Sequence, residues 1–579
     1  MQLPSDTSRW SGLIGGRLAL LALPMGVMAS FVLTWWGLGE LGMTWDEPYF
    51  FERQHEIGAW FGDLLAGPTS RARALSPEGF ARAWRVAREV PDQHPPVPEL
   101  LSLVTGHLFG WAVGPLRSYR LATVALFAIA ATVAARLVAP RWGPWAAAGA
   151  LGALLGNPRL VADAQQITAD SDTGAFWFLA AVAYLRACET GRRAWLFGVF
   201  AGLAIMCKAT GVLVFPAMIA WALLHRPRGW WRPLAWSIPI VPAVMVACMP
   251  PWWAHPIAGI TRWVAAFLNY PQKVPVAYLG TVYDSTRNFL PWHNTIVLTA
   301  TMVPPGLLAL AAVGVGVALR PSAAHGSSTD GDEDPATARG WLSDRVVVSW
   351  ALINFATWPV LRMAPVLPAH DGLRQLIPAF FFLPILVAYG AAWLARGGPG
   401  RLRSWAGRAL VAGGLAGSVG VTLAFHPYEL AYYNILIGGP RGAKAAGMET
   451  TYFWDSATTE VLDWMNDNLP WNSTVLIYPP PNVRTFAWEQ RWGRLRPDLR
   501  FLNLDPPHTA ERLGLMAGRD PCFLLFQMRQ GLYMPRSGKS PNVFARLADA
   551  PARYELVPPR VGVRLLAIFD RDDYAHAAR

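Results

Sequence analysis

The chain has 579 residues, 53% of them hydrophobic and only 15% charged, with a mean hydropathy of +0.26. Soluble domains carry about 25% charged residues, so this composition excludes an ordinary soluble enzyme and indicates an integral membrane protein. The net charge of +12 comes from basic residues scattered between apolar runs, the positive-inside pattern of a multi-pass chain and not the clustered basic face of a nucleic-acid binder.

Arg9 and Arg17 precede an uncharged run over 18–39, which exceeds the roughly 20 apolar residues a crossing needs. It reads as an uncleaved anchor with its N-terminus inside. Residues 38–97 then form a first outer loop. Arg117 and Arg120 mark an inner turn, followed by inner turns at Arg186, Arg192 and Arg193, at Arg226, Arg228 and Arg232, and at Arg396, Arg401, Arg403 and Arg408. The spans predicted are 18–37, 98–116, 119–139, 173–189, 194–207, 210–225, 233–250, 293–319, 346–361, 375–395 and 405–425. The apolar run at 142–158 does not fit, because a crossing there would invert every later loop. A re-entrant or tilted helix is predicted for it. The short spans at 194–207 and 210–225 are expected to be broken or tilted near Lys208. Residues 321–344 read as a flexible acidic inner loop.

After residue 426 the pattern changes. Asp455-Ser456 precedes an amphipathic stretch with Val461, Leu462, Met465 and Leu469, closed by Pro470, which predicts a capped helix. Strand-like runs follow at Thr474–Tyr478, Phe523–Phe526 and Val561–Phe569. The fold class expected is a polytopic α-helical membrane protein of about 11–13 transmembrane helices. Residues 1–425 would be its membrane domain and 426–579 a small extracytoplasmic α/β domain. Four cysteines, Cys188, Cys207, Cys248 and Cys522, form no CxxC and imply neither a disulfide framework nor a zinc site.

The candidate functional residues cluster at the outer ends of apolar runs. Asp46 and Glu47, in Trp45-Asp46-Glu47-Pro48-Tyr49, open the first outer loop. A carboxylate at a membrane face suits a general base on a hydroxyl, or a ligand to a divalent ion. His94, in Asp92-Gln93-His94-Pro95-Pro96, closes that loop and suits a phosphate or carboxylate. Asp163, Asp170 and Asp172 precede an apolar span with no basic residue among them, and acidic groups there need solvent, a metal or a partner. Lys208 interrupts an apolar stretch, where a cation costs about 2.5–3.5 kcal/mol unless it snorkels or pairs. His255 sits in the Trp-rich opening of the second long outer loop. Asp371 and Arg374 open the 375–395 span, and the Arg374 guanidinium is a fork suited to phosphate or carboxylate.

Taken in order, these pieces resemble the GT-C superfamily of membrane glycosyltransferases, and within it the ArnT-like and protein O-mannosyltransferase-like group. Asp46-Glu47 matches its first-loop acidic pair, and His94-Pro95-Pro96 its His-Pro-Pro or Lys-Pro-Pro lead-in to the next helix. Asp170 is the best match to its second Asp. Asp172 stands where the group usually has Pro, so Asp163 and Asp172 remain alternatives. The Lys208 segment, Asp371-Gly372-Leu373-Arg374, and Tyr432-Tyr433-Asn434 with Gly438-Gly439 also look like pieces of bacterial members.

The resemblance implies transfer of a sugar, with inversion, from a polyprenyl-phosphate donor to a lipid, glycan or protein acceptor. The reaction would lie at the outer face of a bacterial cytoplasmic membrane. Asp46 is then the expected base, Asp170 an acceptor or metal ligand, and Lys208 and Arg374 the phosphate contacts. A divalent ion stays open, and neither an organic cofactor nor a nucleic-acid partner is expected. The competing classes are a transporter or flippase, which more often shows an internal repeat and a midplane site, and a non-catalytic sugar-binding scaffold, which needs no acidic clusters.

Overall fold

A computed structural model of the chain describes residues 37–85, 94–269, 274–284, 288–320, 342–364, 367, 369, 372–397, 401–451, 455–479, 483–504, 509–518, 521–534 and 543–578. The first-loop helix α1 (Glu47–Leu65) is followed by α2 (Val97–Val113), α3 (Pro115–Trp142), α4 (Pro144–Leu155), α5 (Pro158–Ala164) and α6 (Ala169–Thr190). Next come α7 (Trp195–Cys207), α8 (Val214–His225), α9 (Trp231–Cys248), α10 (Asn294–Met302), α11 (Pro305–Leu319), α12 (Asp344–Arg362), α13 (Leu383–Arg396) and α14 (Arg401–Phe425). Gly114 and Gly143, at φ 81° and 90° and each followed by Pro, cut 97–155 into three helices. Glycine takes the left-handed turn that other residues avoid, and Pro suits the first helical position.

Among the described residues, three helices are long and apolar enough to cross a membrane: α3, α9 and Leu402–Phe425. Two bent pairs, α10 with α11 and Arg374–Phe380 with α13, bring the number to five. Most of the other expected spans fall on shorter apolar helices or on helices carrying several charges, so length and composition alone do not reach 11–13 crossings. The first span and the 321–341 part of the acidic loop lie outside the described residues.

The two ends of α3 fall at opposite ends of the helical body. At one, Arg120 reaches Glu47 and the carbonyls of Leu38 and Leu41. At the other, Arg141 pairs with Glu189, and Trp142 donates to Asp344 at 2.7 Å. The expected inner turn at Arg117 and Arg120 is therefore corrected, because it shares the Asp46 end. The Arg rule misleads here because Arg120 is fully buried, bound to loop carbonyls and a carboxylate. With that turn reassigned, the misfit at 142–158 disappears. The α4 helix simply runs back from the Arg141 end, packed on α13 and α14.

As expected, the chain breaks at Lys208. The α7 helix stops at Cys207, Lys208 is extended, and a 3-10 turn over Ala209–Leu213 leads into α8.

The tail is the expected small α/β domain. Strands β3 (Thr474–Tyr478), β4 (Arg500–Asn503), β5 (Cys522–Gln527), β6 (Tyr554–Leu556) and β7 (Leu566–Phe569) form one sheet in the order β4-β3-β5-β7-β6. The β3 strand pairs in parallel with β4 and β5, and β7 pairs antiparallel with β5 and β6. Helix α15 (Thr459–Asn468) buries Val461, Leu462 and Met465 in the apolar core that holds Val475 and Ile477 of the sheet. Its N-cap is Thr458, not the Asp455-Ser456 pair expected. Only Leu566–Phe569 of the predicted 561–569 run pairs as a strand. A hairpin between α9 and α10, β1 (Val276–Tyr278) with β2 (Thr281–Tyr283), was not anticipated. Glu449 of the tail holds it by accepting the Ala277 amide at 2.9 Å.

Candidate active site

Asp46 is the N-cap residue of α1, and Pro48 fixes the first turn behind it. Its side chain is 26% exposed. Asp170 lies in the first turn of α6, which Thr168 caps by accepting the Ser171 amide at 3.3 Å. Its side chain is only 2% exposed. Both carboxylates sit at helix N-termini, where the dipole favours negative charge, and Lys208 sits at the C-terminus of α7, where it favours positive charge.

These side chains join in one ionic chain. The Arg374 guanidinium binds Asp46 through Nη2 and donates from Nε to Asp170 Oδ2 at 3.0 Å. Lys208 Nζ donates to Asp170 Oδ1 at 2.6 Å. Four residues from four separate segments, all picked out by the sequence, thus meet: Asp46, Arg374, Asp170 and Lys208. All sit at helix ends or breaks, and none in a helix interior. Of the three aspartate alternatives named for this region, Asp170 is the one that joins the ionic chain. Asp163 instead accepts from Thr168 Oγ1 at 2.8 Å. Asp172, two residues past Asp170 on the helix, is turned by about 200° to another face.

The remaining candidates are placed differently. Glu47 is fully buried and outside the ionic chain. Its Oε1 accepts from Arg120 Nε at 2.8 Å and the Ile167 amide at 3.2 Å. Its Oε2 accepts from Arg120 Nη2 at 2.7 Å and the Thr44 amide at 3.1 Å. Glu47 is thus an anchor that ties the start of α1 to α3 and to the turn before α6. His94 presents its carbonyl to Arg53 at 2.7 Å and exposes its side chain. His255 is exposed ahead of Pro256–Leu268, and no described contact links it to the ionic chain. Asp371 lies outside the described residues. Tyr433 and Asn434 are structural, the first donating to the Glu449 carbonyl at 2.8 Å and the second to those of Ala300 and Val303 at 2.6 and 2.7 Å.

Sequence reasoning missed Arg120, which reads as one more basic turn residue. It also missed the contact of the tail with α1. Helix α16 (Val483–Arg491) lays Trp488 against Phe51 at 5.6 Å between ring centroids, and Arg484 sits 4.3 Å over the Tyr49 ring. Arg494 donates to the Gly39 carbonyl at 3.2 Å. Behind it, burial pushes the Glu489 carboxyl up to about 7, with Glu47 adding to the rise and Arg494 and Arg120 opposing it.

Among the described residues, no group of three or more His, Cys, Asp or Glu forms a metal-binding cluster. In the ionic chain both carboxylates already face cations, a donor set that does not fit calcium or magnesium, which take six or more oxygens.

Residues 93–254 match the family model described as dolichyl-phosphate-mannose-protein mannosyltransferase. That match covers less than half of the chain, and over those residues it agrees with the protein O-mannosyltransferase-like resemblance read from the sequence. No curated protein matches the chain. Among solved structures, the chain is similar to ArnT from Cupriavidus metallidurans in the apo state, with 15% identity, 96% of this chain and 99% of that chain covered, and a TM-score of 0.49. It is also similar to the same protein bound to undecaprenyl phosphate, with 16% identity, 94% and 97% covered, and a TM-score of 0.46.

Proposed function

We propose that the chain is an inverting membrane glycosyltransferase that moves a sugar from a polyprenyl-phosphate donor to an acceptor hydroxyl at the outer face of a bacterial cytoplasmic membrane. The observation that carries this is the continuous chain Asp46–Arg374–Asp170–Lys208. It sets the partly exposed Asp46 carboxylate against Arg374, with a second cation, Lys208, joined to Arg374 through Asp170. The matched family's description names a dolichyl-phosphate sugar, which is a donor of this class.

In the reaction the acceptor oxygen attacks the anomeric carbon while the carbon–oxygen bond to phosphate breaks. Asp46 takes the hydroxyl proton. The departing phosphate keeps the bonding electrons, and Lys208 and Arg374 stabilise its charge. Asp170 holds those two cations side by side, so it acts as a positioning residue. Arg374 touches both Asp46 and Asp170 and so fixes the distance between base and phosphate site. Glu47 and Arg120 hold the α1 N-terminus that carries Asp46.

The test is turnover by the full chain in proteoliposomes with a panel of polyprenyl-phosphate sugars, read as release of polyprenyl phosphate. Release that depends on an added lipid, glycan or protein acceptor supports the reading. Uptake or flipping of the lipid-linked sugar without release of polyprenyl phosphate would replace it with a transporter.

A further inference from the structure

Away from the ionic chain, a groove of about 1030 Å³ opens between α2, α3, α6 and α7. Its walls are apolar, with Val104, Ile129, Val133, Leu179, Val182 and Phe200 among them. One end is basic: Arg186, Arg192 and Arg193 line it beside Thr190. This is the Arg141–Glu189 end of the body, opposite Asp46.

The charge there is not neutralised from within. Buried Glu189 is shared by Arg141 and Arg186. Arg192 and Arg193 are exposed, and neither makes an ion pair among the described residues. The turn is tightly set. Gly191 is left-handed at φ 69°, and Arg193 takes φ 54°, a conformation few bulky residues adopt.

The depth of the groove points to what fills it. Along α6 it runs from Phe176 to Thr190, fourteen residues, or about 21 Å at 1.5 Å per residue. Half of a bilayer of about 40–45 Å, headgroup layers included, is the same length. A groove one leaflet deep, apolar along its walls and cationic at its mouth, complements a lipid with an anionic headgroup. Basic pockets between membrane helices on the cytoplasmic side bind such headgroups.

We propose that this groove is a binding site for one anionic glycerophospholipid of the leaflet at the Arg186–Arg193 end, with its phosphate at Arg192 and Arg193 and an acyl chain along α6. The site is separate from the proposed donor site, and the inference holds whichever reaction the ionic chain performs.

The experiment uses the full chain in nanodiscs of phosphatidylcholine with one fifth phosphatidylglycerol, and measures by native mass spectrometry which lipid stays bound after release into detergent. Wild type should retain one phosphatidylglycerol in preference to phosphatidylcholine. Arg192→Gln/Arg193→Gln should lower that preference at least about tenfold, since each basic residue near an anionic surface contributes on the order of 1 kcal/mol. Ala183→Trp, which fills the groove, should remove the lipid with the arginines intact. Arg226→Gln/Arg228→Gln, at another basic turn, should leave retention unchanged. Equal retention in the Arg192/Arg193 double variant and wild type would overturn the proposal. So would equal loss in the Arg226/Arg228 control, which would mean a diffuse surface charge effect. Displacement of the lipid by added polyprenyl phosphate would make the groove part of the donor's path and would also overturn it.

Discussion

Removing the Arg120 side chain as Arg120→Met tests how the α1 N-terminus is held. Arg120 and Glu47 are both fully buried, at 0% exposure, and joined by two hydrogen bonds of 2.8 and 2.7 Å. Arg120 also donates to the carbonyls of Leu38 at 2.7 Å and Leu41 at 3.2 Å. Methionine leaves the Glu47 carboxylate buried without its cation, a loss of about 3–5 kcal/mol in comparable pairs. Two orphaned loop carbonyls add about 1 kcal/mol or more each. Glu47→Leu alone leaves the Arg120 cation buried and should be of similar severity. The double variant Glu47→Leu/Arg120→Met removes both charges and should lose clearly less than the two single losses together, because apolar replacement of a whole buried pair is often close to neutral. The assay is the apparent melting temperature of detergent-solubilised protein, with all four variants prepared alike. Arg120→Met melting within a degree of wild type would refute the anchor reading. So would a double variant losing the full sum of the single losses, since the two residues would then act independently.

Three further outcomes follow from the geometry. Lys208→Ala and Arg374→Ala should each weaken binding of a polyprenyl-phosphate sugar, measured by equilibrium binding in detergent, and unchanged affinity in the double variant would reject their phosphate role. Glu489 binds its proton more tightly in the folded state, with its carboxyl raised from 4.5 to about 7. The folded chain therefore holds more protons between those values, and stability should fall as pH rises through that window; Glu489→Gln should flatten this melting profile, and an unchanged slope would reject the assignment. Trp488→Ala removes a side chain only 7% exposed from the contact between α16 and α1, which should cost about 3–5 kcal/mol and speed limited proteolysis of the tail; an unchanged cleavage rate would argue against that contact.

The ionic chain was legible because charge is costly beside apolar runs, so Asp46, Asp170, Lys208 and Arg374 stood out one by one, and the order of the motifs suggested that they meet. The sequence did not separate the roles of Asp46 and Glu47. Adjacent carboxylates look alike until a partner is known, and the partner, Arg120, lies 73 positions away. The same residue misled the sidedness at 117–120. A count of basic residues cannot tell a buried arginine binding loop carbonyls from one held in the interface. The tail's β3 was read to the residue because Thr474–Tyr478 is dense in β-branched and apolar side chains. By contrast β4 and β6 have only four and three residues, too short for period-two alternation to show. His94 and His255 carried little signal of their own, and neither is drawn into the ionic chain.

The central claim is that Asp46 accepts the acceptor's proton. General-base catalysis contributes roughly 10²–10⁴ in rate, and asparagine keeps the size of the side chain while losing its basicity. The decisive measurement is turnover of Asp46→Asn with a polyprenyl-phosphate sugar and its acceptor, alongside donor affinity of the same protein. The account predicts a loss of at least about 10²-fold in turnover with donor binding retained, and a smaller loss of intrinsic turnover in folded Glu47→Gln. Near wild-type turnover in Asp46→Asn would contradict it.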